Sequence, residues 1–421
     1  MSSTEPKVAF AGLGAMGYGM ASHLFKSGFD VIGYDVYHPA MERLVAEGGK
    51  SASNPPDAAR GVEFFICMVA NSLQAQPLLF HPNTGAARAL PQNATILMCS
   101  TVAPAYIDDV RRCLHDVGRP DIRLIDSPVS GGTARAANGT LSIFSSGDDS
   151  DLANARSILE CLSGKLYQIP GGLGGGSKTK MIHQIFAGIN IAMASEAMGL
   201  IAAAGMNTQE AFDELRRGEG WSWSFDDRVP HMLDPSLPPY SAVTIIAKDV
   251  GIITSTARDF KFPLSMTSTA EQLYLTAISA GWGKEDDCIL TRLYLPGRPD
   301  LIIQNAKANN AAQPTILTVD DIKDLMVGVH LAGMAEAMLF CEHLGIDTNL
   351  MYDIVSNAAG ASAIFSKTFA EMQKGNWELR SFSGAEKIRD RLMRAVAKAY
   401  EIRYPLHLSS AALQEFHRQL R

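Results

Sequence analysis

The feature that most constrains the fold is a glycine-rich turn close to the N-terminus. A short apolar run, Val8–Ala11, leads directly into the motif Gly12-Leu13-Gly14-Ala15-Met16-Gly17, and a helical pattern follows it. Glycines at these spacings allow a tight turn, a close approach of the backbone to a pyrophosphate, and close packing of helix on strand. The N-terminus of the helix also favours an anion. The segment therefore predicts a dinucleotide site that all six motif residues help to form.

A single acidic residue bears on which dinucleotide binds. Asp35 ends the second apolar run and lies 18 residues after Gly17. A carboxylate in this place accepts hydrogen bonds from the adenine ribose and repels a 2′-phosphate. The residues after it, Val36-Tyr37-His38, include no arginine to bind such a phosphate. NAD is therefore expected as the cofactor, with NADP disfavoured.

The first 165 residues alternate short apolar runs with helical patterns. This alternation is typical of βαβ units and predicts a mostly parallel sheet. The predicted strands are Val8–Ala11, Val31–Tyr34, Phe64–Val69, Ala94–Cys99, Ile122–Ile125 and Leu141–Ser145.

The second half of the chain reads as helical and contains an internal repeat. Five glycines and a proline at 170–176 predict a hinge between the two halves. Residues 182–208 match residues 322–348 at an offset of 140, which favours duplication over chance. The predicted domains are 1–166, a dinucleotide domain; 167–304, a helical domain (copy one); and 315–421, a second helical domain (copy two). Residues 305–314 are expected to link the two copies.

Composition excludes several classes of protein. Hydrophobic residues make up 47% of the 421 residues and charged residues 19%, as in ordinary globular proteins. A net charge of -7 disfavours a nucleic-acid partner. None of the six cysteines forms a CxxC pair, so reduced thiols in a cytoplasmic protein and no metal site are expected. With so few residues before Val8, no signal peptide is expected, and the apolar stretches are expected to be too short to span a membrane.

Three further motifs complete a resemblance to a known family. They are Asp126-Ser127-Pro128-Val129-Ser130-Gly131-Gly132, the run Lys180-Met181-Ile182-His183-Gln184 after the glycine hinge, and Lys248-Asp249. With the glycine fingerprint, the chain resembles the β-hydroxyacid dehydrogenase family, which includes 3-hydroxyisobutyrate dehydrogenase, over about residues 7–300. The resemblance implies a Rossmann-type domain followed by a helical domain like that of 6-phosphogluconate dehydrogenase, here duplicated.

The chemistry of the side chains and the family resemblance agree on which residues bind the substrate. Ser130, Gly131 and Gly132 offer a hydroxyl and unhindered N–H groups that suit a carboxylate. Lys180 and Gln184 share one helix face, and an ammonium near a substrate hydroxyl exchanges its proton during hydride transfer. The resemblance assigns this role to Lys180 rather than to its neighbour Lys178.

One departure narrows the resemblance. The family usually has two asparagines where this chain has His183-Gln184, and that pair is similar to the L-threonate dehydrogenase branch. Gln184 takes the place of the substrate-binding asparagine. His183 either contacts a polyhydroxylated substrate or serves helix packing.

The remaining predicted cofactor contacts lie after the central strands and on a later helix. Val69, Ala70 and Asn71 end the third predicted strand, on the sheet edge where open α/β folds bind cofactors. The resemblance places Thr101 beside the nicotinamide ribose. It also places Lys248 near the nicotinamide, in a binding or accessory role.

These observations predict an NAD-dependent oxidoreductase that interconverts a small hydroxy acid, such as threonate, with its oxo acid. Two alternatives stay open: a reductase of aldehydes, ketones or imines, and a non-catalytic dinucleotide-binding protein. Copy two has no glycine fingerprint and carries Asp320 and Lys323 in place of Lys180 and His183, so no second active site is expected. It is expected to pack on copy one as a pseudo-dimer, with Lys323 the first candidate to reach the active site. Further homo-oligomerisation stays open.

Overall fold

In the computed structural model, which describes residues 6–307 and 316–421, the chain divides into two units, Met1–Lys180 and Met181–Arg421. The predicted domain boundaries at 166, 304 and 315 stay predictions. Residues 305–307 of the predicted linker end a helix, and the rest of the linker lies outside the described residues.

The first unit contains a parallel sheet of the predicted kind. Its strands are β1 (Lys7–Ala11), β2 (Asp30–Tyr34), β3 (Lys50–Ser51), β4 (Phe64–Cys67), β5 (Thr95–Met98) and β6 (Arg123–Asp126). The sheet order is β3-β2-β1-β4-β5-β6, the strand order of dinucleotide-binding folds. The helices between them are α1 (Ala15–Lys26), α2 (His38–Ala46), α3 (Pro55–Ala59), α4 (Ser72–Phe80) and α5 (Pro104–Asp116). The Rossmann-type fold is thereby confirmed.

Both faces of this sheet are covered, as a parallel sheet requires. Along β1, Val8 and Phe10 enter one apolar cluster, while Ala9 and Ala11 enter the cluster on the opposite face. Each of these four residues is fully buried. Successive side chains of a strand point to opposite faces, so an entirely apolar strand contributes to the apolar core on each face of the sheet.

A second, smaller sheet follows the first. It consists of β7 (Val129–Ser130), β8 (Leu141–Ser145) and β9 (Ser163–Gln168), with β7 antiparallel and β9 parallel to β8. Its helices are α6 (Gly132–Ala137), α7 (Asp149–Asn154) and α8 (Arg156–Leu162). The sixth predicted strand therefore exists, but in a separate mixed sheet.

The second unit is helical in its described residues. Helix α9 (Gly175–Ala203) begins in the first unit, and the predicted hinge already forms its first residues. The helices that follow in copy one are α10 (Thr208–Leu215), α11 (Trp223–Leu233), α12 (Val243–Asp259), α13 (Ser265–Ser279), α14 (Thr291–Tyr294) and α15 (Leu301–Lys307). Copy two contributes α16 (Val319–His343), α17 (Thr348–Ser356), α18 (Ala363–Lys374), α19 (Ala385–Glu401) and α20 (His407–Gln419). Two short 3-10 helices, Asp287–Leu290 and Leu379–Ser381, complete the unit.

The two copies contact each other through equivalent backbone groups. Ser222 and Ser362, which are 140 residues apart and therefore equivalent, pair with each other in an antiparallel bridge. Trp223 N donates to Ala361 O at 2.8 Å, and Ala363 N donates to Trp221 O at 3.0 Å. These two backbone bonds are thus equivalent to each other under the 140-residue offset, one running in each direction between the copies.

A buried glutamate, Glu196, and its half-buried equivalent, Glu336, make the same kind of reciprocal contact. Glu196 of α9 accepts from Leu408 N at 2.9 Å and from Ser409 N at 3.0 Å, at the start of α20. Its equivalent Glu336 accepts from Met266 N and Thr267 N, both at 2.8 Å, at the start of α13. Each copy therefore satisfies N–H groups that the other copy's helix leaves without an intrahelical partner.

Two helices are longer than the sequence reading allowed. Among the described residues, Gly175–Ala203 and Val319–His343 are long and apolar enough to cross a membrane, so the expectation that every apolar stretch is too short was wrong. Their most apolar windows are 100% and 83% buried inside the protein. That burial is the property of core helices, which are apolar on all sides because they are enclosed on all sides.

Candidate active site

The turn between β1 and α1 is built from three glycines with different tasks. Gly12 has φ +98°, and a Cβ there would lie 2.4 Å from Met68 O. A Cβ on Gly17 would lie 1.9 Å from Gly12 O, so only glycine lets α1 pack on the strand. A Cβ on Gly14 would meet no atom within 4 Å. That open space in front of Gly14 is what a pyrophosphate needs in order to reach the backbone.

A cavity of about 660 Å³ opens beside this turn, at the carboxyl ends of the strands. Five predicted cofactor residues line it: Gly12, Gly14, Asp35, Val69 and Ala70. The other four motif residues do not line it; Leu13 is buried, while Ala15, Met16 and Gly17 form the first turn of α1. The cavity volume and its position at the sheet edge fit a dinucleotide.

Asp35 is held in place by the backbone. Its Oδ2 accepts from Leu13 N at 2.5 Å and its Oδ1 accepts from Tyr37 N at 2.8 Å. A carboxylate has about four acceptor positions, so two bonds leave capacity for ribose hydroxyls. The bond to Leu13 also connects the end of β2 to the glycine turn.

The sequence reading missed apolar residues at the rim of the cavity. Val36 is 84% exposed and Leu73 is 83% exposed, and both line the cavity. Large exposed apolar side chains that face a cleft suit the flat faces of an adenine ring. The remaining lining residues that were not predicted are Tyr34, Asn54, Pro55, Met68, Gln74, Pro77, Leu78 and Thr84. The sequence did contain a signal for this rim. Val36 follows the end of β2 and Leu73 lies at the start of α4, and both are apolar where a polar residue is usual.

Two other predicted cofactor residues have structural surroundings of their own. Asn71 is the N-cap of α4, and its side chain accepts from Gln74 N at 3.0 Å. Thr101 follows β5, after the buried Ser100. Both lie at the carboxyl edge of the sheet but do not line the cavity. Their cofactor roles stay predictions.

The predicted carboxylate-binding segment forms a strand end and a turn. Ser130 ends β7 and is 7% exposed. Gly131 has φ +139° and Gly132 has φ +75°, backbone conformations that residues other than glycine rarely adopt. Neither glycine has a side chain of its own at this turn, which suits the backbone N–H contacts expected for a carboxylate site, and the Arg135 side chain lies beside Gly131.

Lys180 lies at the start of a helix whose first turn is fixed by a buried aspartate. Ser177 N and Ser177 Oγ both donate to Asp126 at 2.7 Å, and Asp126 is fully buried. Burial raises the pKa of Asp126 to about 7, while the bonds from Ser177 oppose that rise. Lys180 is 5% exposed, whereas Lys178 is only half-buried. A lysine is rarely this buried without a specific task, which favours Lys180 over Lys178.

Four polar residues of the second unit form a connected group. His183 Nδ1 lies 3.0 Å from Gln184 Oε1, and Gln184 Nε2 donates to Asp249 Oδ2 at 2.6 Å. Lys248 Nζ lies 2.8 Å from Asp249 Oδ1. His183 is fully buried, and Gln184 and Asp249 are 9% and 5% exposed. The structure thus brings together the predicted residues His183, Gln184 and Lys248. It adds Asp249, to which the sequence had assigned no role of its own.

The equivalent positions of copy two hold an ion pair instead. Helices α12 and α19 have the same length at an offset of 142, so Lys248 and Asp249 correspond to Asp390 and Arg391. The offset between the copies therefore grows from 140 at α16 to 142 at α19. Arg391 lies 3.3 Å from Asp324, the equivalent of Gln184. Copy two has thus replaced the amide–carboxylate contact with a salt bridge.

Lys323 does not reach α9 through the contacts that the structure gives it. It pairs with Asp320 on its own helix and packs against Gly220 of copy one. Copy two meets α9 elsewhere: besides the start of α20 at Glu196, the turn at Gly360 accepts from Asn190 Nδ2 at 3.4 Å. The contacts of copy two with the helix that carries Lys180 therefore come from these segments and not from Lys323.

Comparison with known proteins follows the same division of the chain. The family profile described as the NAD-binding domain of 6-phosphogluconate dehydrogenase matches residues 7–171. A second profile, described as the NAD-binding domain of NADP-dependent 3-hydroxyisobutyrate dehydrogenase, matches residues 174–294 and again 319–421. The double match confirms the duplication of the helical domain.

Individual relatives are shorter than this chain. An L-threonate dehydrogenase from Cupriavidus necator is 35% identical over 297 residues, which are 70% of this chain and 99% of the relative. A mitochondrial 3-hydroxyisobutyrate dehydrogenase from Rattus norvegicus is 29% identical over 68% of this chain and 86% of its own length. A crystal structure described as 3-hydroxyisobutyrate dehydrogenase from Salmonella typhimurium has 33% identity, a TM-score of 0.64, and covers 69% of this chain and all of its own.

The chain belongs to the β-hydroxyacid dehydrogenase family. It is an NAD-dependent oxidoreductase of hydroxy acids, and the alternative of a non-catalytic protein is set aside. The turn at Gly14, the Asp35 carboxylate and the apolar rim fit the cofactor, which supplies or accepts a hydride when it is bound.

Proposed function

We propose that this family member interconverts a four-carbon polyhydroxy acid such as threonate and its oxo acid, with NAD preferred. The observation that carries the proposal is the buried Lys180 on α9, followed along the same helix by the polar pair His183-Gln184. In support, the 35% identical relatives from Cupriavidus necator and Escherichia coli are L-threonate dehydrogenases. The free, mostly buried cysteines support a cytoplasmic location.

Each proposed residue has a distinct task. The Lys180 amine takes the proton from the substrate hydroxyl during oxidation and returns it during reduction. Ser130 and the N–H groups at Gly131 and Gly132 hold the carboxylate. Gln184 and His183 hydrogen-bond further hydroxyls, for which a four-carbon sugar acid has more partners than a simple hydroxy acid.

The test is NAD reduction by the intact protein with a panel of hydroxy acids. The panel contains both threonate enantiomers, both erythronates, 3-hydroxyisobutyrate, serine, and 2- and 3-hydroxybutyrate. We expect one four-carbon polyol acid to have the highest kcat/KM. A preference for 3-hydroxyisobutyrate or serine would refute the substrate proposal while leaving the reaction class intact.

We further propose that copy two replaces a partner subunit's helical domain. The reciprocal bridge at Ser222 and Ser362 and the exchanged contacts of Glu196 and Glu336 support it, because an isologous interface returns every contact in the same way. Two equivalent surfaces within one chain therefore act as a built-in dimer.

A further inference from the structure

The connected group around Asp249 contains a feature that bears on how His183 acts. Asp249 lies on α12, and its two oxygens face Lys248 Nζ at 2.8 Å and Gln184 Nε2 at 2.6 Å. A carboxylate oxygen accepts hydrogen bonds, and in the contact at 2.6 Å Asp249 Oδ2 is the acceptor. The group of Gln184 that faces Asp249 must therefore be its NH₂.

The orientation of Gln184 then fixes the next bond. With its NH₂ on Asp249, its Oε1 faces His183 Nδ1 at 3.0 Å. A carbonyl oxygen only accepts, so Nδ1 must carry a hydrogen and donate it. In a neutral imidazole the other nitrogen, Nε2, is then an acceptor. The sequence of bonds runs from Asp249 through Gln184 to His183 and allows one tautomer.

We propose that Asp249 is a positioning residue that holds His183 as the Nδ1–H tautomer, so that Nε2 accepts a hydrogen bond from a substrate hydroxyl other than the one oxidised. This inference rests on the proposed function for the identity of the substrate. His183 follows Lys180 by three residues on α9, and residues at that spacing share a helix face. A site of this kind selects an acid that offers a second hydroxyl, because an acceptor left without its donor costs binding free energy.

Copy two offers a natural contrast. Its equivalents of Asp249, Gln184 and His183 are Arg391, Asp324 and Lys323. An arginine only donates and a lysine only donates, so no arrangement of these groups presents a neutral acceptor. The ordering of acceptors and donors is therefore specific to the copy that carries Lys180.

The test combines a structural and a kinetic measurement on the intact protein. Nitrogen-15 NMR of histidine-labelled protein reports the tautomer, with the His183 signal assigned by its loss in His183→Gln. We expect the Nδ1–H form in the wild type and a mixture of forms in Asp249→Asn, whose amide faces Gln184 in either orientation. Asp324→Asn, at the equivalent contact of copy two, is the matched control and should leave the His183 signal unchanged.

The kinetic arm compares threonate with 2- and 3-hydroxybutyrate, which share the carbon chain but have a single hydroxyl. Asp249→Asn should lower kcat/KM for threonate by roughly 10–100-fold and change the value for a single-hydroxyl acid much less. An Nε2–H tautomer in the wild type, or an equal loss on both substrate types, would overturn the proposal. If threonate is not a substrate but the tautomer depends on Asp249, the substrate proposal fails and the positioning role stands. The wild-type spectrum alone decides the tautomer if the variant does not fold.

Discussion

His330 lies in the middle of α16, 3% exposed, and neither of its ring nitrogens has a hydrogen-bond partner among the described residues. Burial lowers the pKa of His330 from 6.5 to about 4. The unfolded chain therefore binds a proton between these pH values that the folded chain does not, so stability is present above pH 6.5 and decreases as the pH falls.

This residue predicts a pH effect on stability that one substitution removes. His330→Asn installs the residue type of the equivalent position in copy one, Asn190. Between pH 6.5 and 4, the free energy of unfolding of the wild type should fall by ~3 kcal/mol more than that of the variant. Urea unfolding at several pH values measures both curves. Parallel curves would show that His330 does not contribute.

Asp35 predicts the choice of cofactor. The wild type should have a higher kcat/KM with NAD than with NADP. Asp35→Asn should lower the ratio of these two kcat/KM values by roughly 10-fold or more, because it removes a negative charge that repels the 2′-phosphate of NADP. Asp30→Asn, at the opposite end of β2 on the surface, is the control and should leave the ratio unchanged. A wild-type preference for NADP would contradict the role given to Asp35.

At the scale of single residues, the sequence predicted what local spacing can encode. The glycine turn, Asp35 and Lys180 each stand in a motif whose geometry follows from a few neighbouring residues. The contact between Gln184 and Asp249 joins residues 65 positions apart. The cap of α9 by Asp126 spans 51 positions. Such contacts depend on how helices and strands pack, which no local pattern contains.

At the scale of elements, Glu196 and Glu336 are each predicted to stabilise the fold by bonding to a helix of the other copy. Glu196→Ala and Glu336→Ala each leave buried N–H groups of the other copy's helix without an acceptor. Each should lower the free energy of unfolding by about 2 kcal/mol or more. Glu386→Ala, on the exposed face of α19, should change it by less than about 0.5 kcal/mol. Thermal unfolding of the three variants provides the comparison, and an effect of Glu386→Ala as large as the others would refute the argument.

The elements also show where prediction from the sequence ends. All six predicted strands exist because their apolar runs are buried on both faces or in a sheet core. The missed strands β3 and β7 have two residues each, too few for any periodic pattern. The third, β9, is largely exposed, with only Tyr167 buried, so it lacks the apolar alternation that marks a strand.

At the scale of the whole molecule, the duplicated helical domain predicts the behaviour of a truncated chain. Ending the chain after residue 305 removes the donors that α20 supplies to Glu196 and uncovers the apolar face of copy one. The truncated protein should aggregate or form a new dimer and lose activity, because an interface between copies is then exposed. Light scattering and the rate of NAD reduction measure both outcomes. A monomeric truncated protein with full activity would contradict the built-in dimer.

The central claim is that Lys180 exchanges the proton that accompanies hydride transfer. The most direct measurement compares NADH formation by Lys180→Ala and Lys178→Ala at saturating substrate, with NAD binding followed by calorimetry. Loss of a general acid–base group lowers the rate by about 10²–10⁴-fold. We therefore expect such a loss in Lys180→Ala with NAD binding retained, and most of the wild-type rate in Lys178→Ala. Turnover near the wild-type rate in Lys180→Ala would contradict the account.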